Sequence, residues 1–482
     1  MKLSTYLGDK PFWSDTARLA LPIATQSMLT SSFALIDTLM VSRLGDLALS
    51  SVGMAGQWTW FMMLIIFGVS SGMSVFAAQY RGVKDHAAMR RVLGLSLLIV
   101  TAVSAAFLLC GLLSPETILR FFNKEPAVIE SGSAYLRIAC FSYPAVAYTV
   151  ILSTFLRTIE RPKVPMYVSL LTTVLNALLN YTLIFGHFGL PAMGVRGAAT
   201  ATCISSWTGP VLLLAVSLAQ HNHRVRHPRD LVSFTRREAA AFIKRAFPVV
   251  LNETVWALGT LALQAIYSNM GYAHYAAVSI VKTFLELSFA FIVGLGNACV
   301  IMVGKSVGAG RIEQCLRDAK RFSTLVPLGA ALIGLLLIVL RDPLLTVFTF
   351  GDNISDVTLQ TARFITLFCA LEMPLRNIPY IQIVGIYRSG GDTFYGMVCD
   401  VGTLWLIAVP VAFLAANVWH LPFVWVFALA YLTEDIPKAV LCLQRFVSKK
   451  WLRPVTPEGK AALSQWNREH RKKKTHATEE VV

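Results

Sequence analysis

Twelve runs of about twenty mostly apolar residues decide what this 482-residue chain can become. A run of that length crosses the hydrocarbon of a bilayer as a helix, because backbone N–H and C=O groups find no water there and must bond within the segment. The runs fall at 17–42, 48–77, 92–113, 132–156, 164–186, 196–219, 246–269, 275–303, 322–340, 360–386, 394–416 and 421–444. A hydrophobic fraction of 55% against 15% charged residues agrees with an all-α integral membrane protein of twelve transmembrane helices.

A net charge of +16 on a soluble face would point to nucleic acid. Its distribution points elsewhere. Most of the 43 Lys and Arg lie in the N-terminal segment, every second loop and the tail. The clusters are Arg81, Lys84, Arg90 and Arg91; Arg224, Arg226, Arg229, Arg236, Arg237, Lys244 and Arg245; and Arg471, Lys472, Lys473 and Lys474. The positive-inside rule then puts both termini in the cytoplasm of a multi-pass protein of the cytoplasmic (inner) membrane. The basic segments are expected to meet solvent and membrane lipids, not nucleic acid. Of eight cysteines, seven fall in or at the runs and none forms a CxxC pair, so neither a disulfide framework nor a zinc site is expected. Residues 1–16 are polar and the first run is long enough to span, so no cleavable signal peptide is expected.

Sliding the chain against itself by 226 residues superposes Pro22 on Pro248, Gly45 on Gly271, Gly68 on Gly294, Gly82 on Gly308 and Arg91 on Arg317. With a further shift of four or five, Pro144 meets Pro374 and Arg157 meets Arg388. Together the matches argue for a duplication. Six helices per half make parallel repeats, an architecture suited to two bundles rocking about a central cavity. The expected organisation is an N-lobe at 1–220, a basic cytoplasmic linker at 221–245, a C-lobe at 246–447 and a basic cytoplasmic tail at 448–482.

Against this background a few ionisable residues stand out. Asp37 sits near the end of an apolar stretch that runs back to Ala17. A mid-membrane carboxylate costs about 2.5–3.5 kcal/mol on insertion scales, and each large apolar residue recovers only about 0.3–0.6 kcal/mol. About six to ten apolar residues must therefore offset Asp37, and the same holds for Glu253. Helical spacing aligns Gln26, Thr30, Phe33 and Asp37 on one face, and Glu253, Trp256, Thr260, Gln264 and Tyr267 on another. At the 226 offset Asp37 falls opposite Leu263 and Glu253 opposite Ser27, so the halves have specialised. Such a carboxylate can exchange a proton, coordinate sodium beside neighbouring oxygens, or pair with a cationic substrate. Asn176 and Asn180 share a helix face and Thr200 and Thr202 offer hydroxyls, a set that is either a site or interhelical packing.

Other charges have neighbours in sequence. Lys282 with Glu286, and Glu372 with Arg376, are i, i+4 pairs expected to neutralise themselves. Asp400 has no basic residue near it in sequence, and Arg388 and Asp392 flank a glycine pair where a bridge fixing the turn is expected. Trp58, Trp60, Phe61, Met62 and Met63 suit either a polyspecific pocket or ordinary packing. No HExxH, GxSxG or Walker-type loop occurs, and no enzyme is expected.

From Leu21 and Pro22 through "IDTLMVSRLGDLALSSVG", "AAQYRGVKD", "LRTIERPKVP", "NALLNYTLIFG", "GVRGAATAT", "FPVVLNETVW", "GKSVGAGR" and "YRSGGDT", the chain resembles the multidrug and toxic compound extrusion (MATE) family over residues 15–450. The resemblance implies two six-helix lobes and a secondary active antiporter that exports organic cations and drugs in exchange for protons or sodium by rocking alternating access. It carries the family's N-lobe cation site onto Asp37, Asn180 and Thr202, with Asn176 beside them and sodium a possible occupant at Asp37 and Asn180, and its C-lobe glutamate onto Glu253. The sodium-coupled branch has an aspartate in the middle of helix ten where Asn377 stands here, which leaves Asp37, or Glu253 with Glu372 and Asp400, to couple the ion. A monomer with no cofactor beyond the coupling ion, acting on small cationic substrates, is expected. The alternative is a lipid-linked oligosaccharide flippase of the same superfamily, whose anionic cargo calls for more intramembrane cations than Lys282, Arg376 and Lys438, with Arg137 and Arg363 at the margins, supply.

Overall fold

The first apolar run begins before its hydrophobic stretch does, because Asp9 supplies a cap: its Oδ1 accepts from the Phe12 N–H at 3.1 Å. Helix α1 then runs Lys10–Ser42 with Pro22 inside it. It stops at a turn where Gly45 takes φ +97°, a left-handed conformation open to glycine. The computed structural model describes residues 8–122, 124–219, 231–349 and 355–479. Arg224, Arg226 and Arg229 of the expected linker lie outside the described residues, as do the side chains of Arg471, Lys472, Lys473 and Lys474.

After α1 come α2 (Asp46–Gly82), α3 (His86–Leu113), a short α4 (Pro115–Phe122), α5 (Pro126–Ala139), α6 (Tyr143–Thr158), α7 (Lys163–Phe185) and α8 (Gly194–Ala219). The second half has α9 (Arg236–Asn269), α10 (Tyr272–Gly308), α11 (Ile312–Val339), a short α12 (Arg341–Thr349) and α13 (Asp356–Tyr380), which continues through a π-helical turn, Ile381–Tyr387, to Gly390. Then follow α14 (Thr393–Thr403), a second π turn (Leu404–Ala408), α15 (Val409–Asn417), α16 (Phe423–Val447) and α17 (Pro457–Glu479). Among the described residues the regular elements are helical. The helix starts repeat the duplication: Lys10 and Arg236, Asp46 and Tyr272, His86 and Ile312, and Pro115 and Arg341 are each 226 residues apart.

Ten helical segments among the described residues are long and apolar enough to cross a membrane. The expected tenth and twelfth runs fall on α13 and α16, where Glu372, Arg376, Glu434, Asp435 and Lys438 lie inside the apolar runs themselves. Many helices overrun their expected limits by several residues, α1 at its start and α9 by ten. Hydropathy marks the hydrocarbon, whereas capping marks the helix. Thr235 and Glu238 form such a cap: Glu238 Oε2 accepts from Thr235 N at 2.7 Å, and Thr235 Oγ1 accepts from Glu238 N at 3.2 Å. The second part of the expected linker is therefore helix. The tail, read from sequence only as basic, contains α17.

The chain packs into two compact units. Unit A comprises Met1–Leu21, Ala78–Lys84 and Leu251–Val482; unit B comprises Pro22–Ala77 and Asp85–Val250. Each half of the sequence lends its first turns to the other half's unit, and one ion pair fastens each loan. In unit A, Arg321 of α11 bonds Asp9 Oδ2 at 3.1 Å and lies over the Phe12 ring at 5.1 Å. The Phe12 N–H and that guanidinium hold the exposed Asp9 carboxyl below the usual carboxylate range. In unit B, Arg91 Nε of α3 bonds Glu238 Oε1 at 2.9 Å. The core of unit A is built from small residues, Ala277, Ala408, Ala412 and Ala415, and an aromatic cluster in which Tyr267 packs on Phe427 at 5.4 Å. Small residues let backbones approach closely where lipid supplies no hydrophobic drive between helices.

Candidate ion and substrate sites

In unit B the four-residue spacing of Asn176 and Asn180 on α7 stacks two amides on one face, and that face meets α1. Asn180 Nδ2 donates to Asp37 Oδ1 at 2.7 Å and to Asn176 Oδ1 at 2.9 Å. Asn176 Nδ2 in turn donates to Ser205 Oγ of α8 at 3.1 Å. Both asparagines are almost fully buried, at 1% and 0% exposed. Tyr135 of α5 faces Asp37 and Thr202. Among the described residues Asn180 Oδ1 is buried without a hydrogen-bond partner, and Thr202 Oγ1 is buried beside Tyr135. No basic side chain pairs with Asp37 among the described residues. The result is a carboxylate beside an unsatisfied amide oxygen, with the Thr202 hydroxyl in the same cluster, a set of hard donors that suits a small cation or a proton. Thr200 turns away and bonds its own helix at Arg196 O. Tyr135 and Ser205 belong to this cluster and were not visible in the sequence, where nothing sets them apart from packing residues.

Unit A holds a different arrangement. Glu253 of α9 pairs with Arg388 Nη2 at 2.6 Å, the two side chains 18% and 5% exposed. Its neighbour Asn252 donates to Asp400 Oδ2 at 3.0 Å. Lys438 of α16 bonds both Asp400 Oδ1 at 2.8 Å and Glu434 Oε1 at 2.6 Å. Arg376 pairs with Asp435 at 3.4 Å and lies over the Tyr431 ring at 4.8 Å.

These contacts correct three expectations drawn from local spacing. Asp400 does have a basic partner, Lys438, which comes from another helix 38 residues on. Arg376 pairs with Asp435 instead of Glu372, and among the described residues Glu372 Oε1 is left buried without a hydrogen-bond partner. Arg388 and Asp392 do not bridge their turn: Arg388 reaches Glu253, while Asp392 accepts from Arg445 at 2.7 Å and forms an ion pair with Arg453 at 3.1 Å. In each case a buried charge takes the partner that a neighbouring helix offers, because only packing decides which faces meet. Lys282 and Glu286 do pair as expected, at 3.7 Å on an exposed face. Asn377 is buried and donates to Met373 O. Trp58 and Met62 are packing residues, the indole at 4.5 Å from Phe107 and Met62 fully buried.

The halves are thus unequal in detail. Ser27, opposite Glu253 in the repeat, bonds its own helix at Ile23 O. Arg157, the counterpart of Arg388, has no carboxylate partner among the described residues. Lys438 anchors two buried carboxylates, and breaking a buried pair costs about 3–5 kcal/mol. Lys438→Met is expected to lower the thermal stability of the detergent-solubilised protein by about that amount, with Lys438→Met/Glu434→Leu recovering part of it.

A duplicated helical membrane protein with buried charges in both units has the build of a transporter. The MatE family model matches residues 22–182 and 248–414, one copy per half. The chain belongs to the MatE family and is a multi-pass membrane transporter. It is 27% identical over 90% of its length to a protein of Thermotoga maritima described as probable multidrug resistance protein NorM, covering 92% of that relative. It is 26% identical over 86% of its length to probable multidrug resistance protein YoeA of Bacillus subtilis, covering 89% of it. Among solved structures it resembles a MATE protein in the bent conformation, with a TM-score of 0.80 at 16% identity over 94% of this chain and 97% of that one. It also resembles an outward-facing multidrug resistance MATE family transporter, with a TM-score of 0.77 at 17% identity over 90% and 96% of the two chains.

Proposed function

We propose that this transporter is an antiporter that exports organic cations and drugs across the cytoplasmic membrane, with both termini in the cytoplasm, in exchange for protons or sodium. The observation that carries the reading is Asp37: a carboxylate in a membrane helix whose bonded partner is a neutral amide, with that amide's own buried oxygen unsatisfied among the described residues. A residue so placed is costly and, by default, functional. Ionised, it accepts from Asn180 and attracts a cation. Protonated, it becomes a donor and the attraction is lost. Proton, sodium and cationic cargo therefore compete for one charge, and whichever discriminates between inward-open and outward-open states shifts their balance. Moving that balance from 1:99 to 99:1 takes about 5.5 kcal/mol of differential affinity.

The multidrug resistance names of the relatives support a drug cargo. Unit A favours a cationic one, since Glu253, Glu372, Asp400, Glu434 and Asp435 outnumber Arg376, Arg388 and Lys438. That balance weighs against an anionic, lipid-linked oligosaccharide cargo. The test is uptake of ethidium by everted vesicles under an imposed proton gradient and, separately, a sodium gradient. Dye movement driven by one gradient assigns the ion. If neither drives the dye in vesicles containing the protein, the antiporter reading falls and the flippase reading replaces it.

A further inference from the structure

The segment that follows the last apolar helix carries the first sign of a built device. Trp451 is fully buried, as is Thr456, and Leu452 is nearly so, although they lie beyond α16 in a tail read from sequence as a solvated basic stretch. They are buried against the two glycine loops of unit A. Arg453 N donates to Gly390 O at 2.8 Å. A Cβ added at Gly390 would come within 2.5 Å of the Trp451 ring. Gly391 takes φ +94° beside the Arg453 carbonyl, so neither position of the glycine pair has room for a side chain. On the other loop, Thr456 Oγ1 donates to Gly308 O at 2.7 Å.

Gln79, at the end of α2 but within unit A, ties the two ends together. Its Nε2 donates to Ser389 O at 2.8 Å and its Oε1 accepts from Val455 N at 2.7 Å. The Gln79 side chain is fully buried. Asp392, fully buried at the far side of the same turn, is held by Arg445 and Arg453. Residues on both sides of Arg388 are thus fixed: Ser389 and Gly390 by Gln79 and Arg453, and Tyr387 by its hydroxyl bond to Cys442 O. Arg388 is the residue that holds Glu253.

We propose that residues 451–459 and Gln79 form a clasp that positions Arg388 on Glu253. Gln79 and Trp451 are then positioning residues for the ion pair of unit A, and, resting on the antiporter reading, for the response of transport to its coupling ion. A rigid backbone at 387–392 fixes where the guanidinium can point. A loosened one lets Arg388 leave Glu253 and changes how readily that carboxylate accepts an ion.

The test is a double-mutant cycle on the full-length protein in nanodiscs, using Gln79→Ala, Glu253→Gln and both together. Amide hydrogen exchange of the 387–392 segment is expected to rise about tenfold in Gln79→Ala and in Glu253→Gln, with the double variant little above either. Gly390→Ala is expected to match Gln79→Ala, and Trp451→Phe to stay near wild type. In vesicles, Gln79→Ala is expected to shift the ion concentration for half-maximal dye transport about threefold or more, with no further shift when Glu253→Gln is already present. Unchanged exchange in Gln79→Ala, or effects that simply add, would overturn the clasp. If wild type moves no dye, the antiporter reading fails, and the exchange cycle still decides the clasp by itself.

Discussion

Asp37→Asn is expected to reduce gradient-driven export of ethidium to the level of vesicles without the protein, while expression and melting temperature stay near wild type. The substitution keeps the shape of the side chain and removes the one charge of its cluster. Without it, neither proton nor sodium has a reason to prefer one state, and the shift of about 5.5 kcal/mol that alternation requires has no source in unit B. Asn180→Leu should be milder. It removes a donor 2.7 Å from the carboxylate, a hydrogen bond to a charged group worth about 1.5–3 kcal/mol. That predicts a change of about 10- to 100-fold in apparent ion affinity, with the maximal rate less affected. Full export by Asp37→Asn would move coupling to the charges of unit A.

The second large effect concerns those charges. Arg388→Met leaves Glu253 without the guanidinium bonded at 2.6 Å, and removing one partner of a buried pair costs about 3–5 kcal/mol. Heating in detergent should show that loss as early aggregation. Arg388→Met with Glu253→Leu should recover much of the stability, since two apolar residues leave no uncompensated charge, and should not recover transport. Recovery of both would make the pair a structural strut.

Much of this was legible in the sequence. The apolar runs and the glycine and proline repeats marked the helices and the duplication, because hydrocarbon thickness sets helix length and turns need particular residues. Asp37 was legible because a lone carboxylate in an apolar run has few innocent explanations. Asn176 and Asn180 were legible as a face, though not as a partner for Asp37, which lies 143 residues away from Asn180. Spacing along one helix says which residues share a face. It is silent on which faces meet, so it paired Arg376 with Glu372 when Asp435 of α16 was the nearer anion, and left Asp400 alone when Lys438 stood opposite. Trp451 and Thr456 were hidden for a related reason: the basic residues around them suggested solvent, and only the loops they cover explain their burial.

The π turn at Ile381–Tyr387 bears on how the two halves drifted apart. Pro144 and Pro374 are 230 residues apart, whereas Arg157 and Arg388 are 231 apart. The later copy is therefore one residue longer between them, and the extra residue falls across the stretch where α13 widens, while α6 runs as an ordinary helix. In a regular helix one inserted residue turns everything beyond it by about 100°, which would swing Arg388 off Glu253. A widened turn stores the extra residue locally instead and hands on the old orientation. The one-residue difference between the copies is in this way absorbed within the helix, and its footprint is a change of pitch where a change of facing would part the pair.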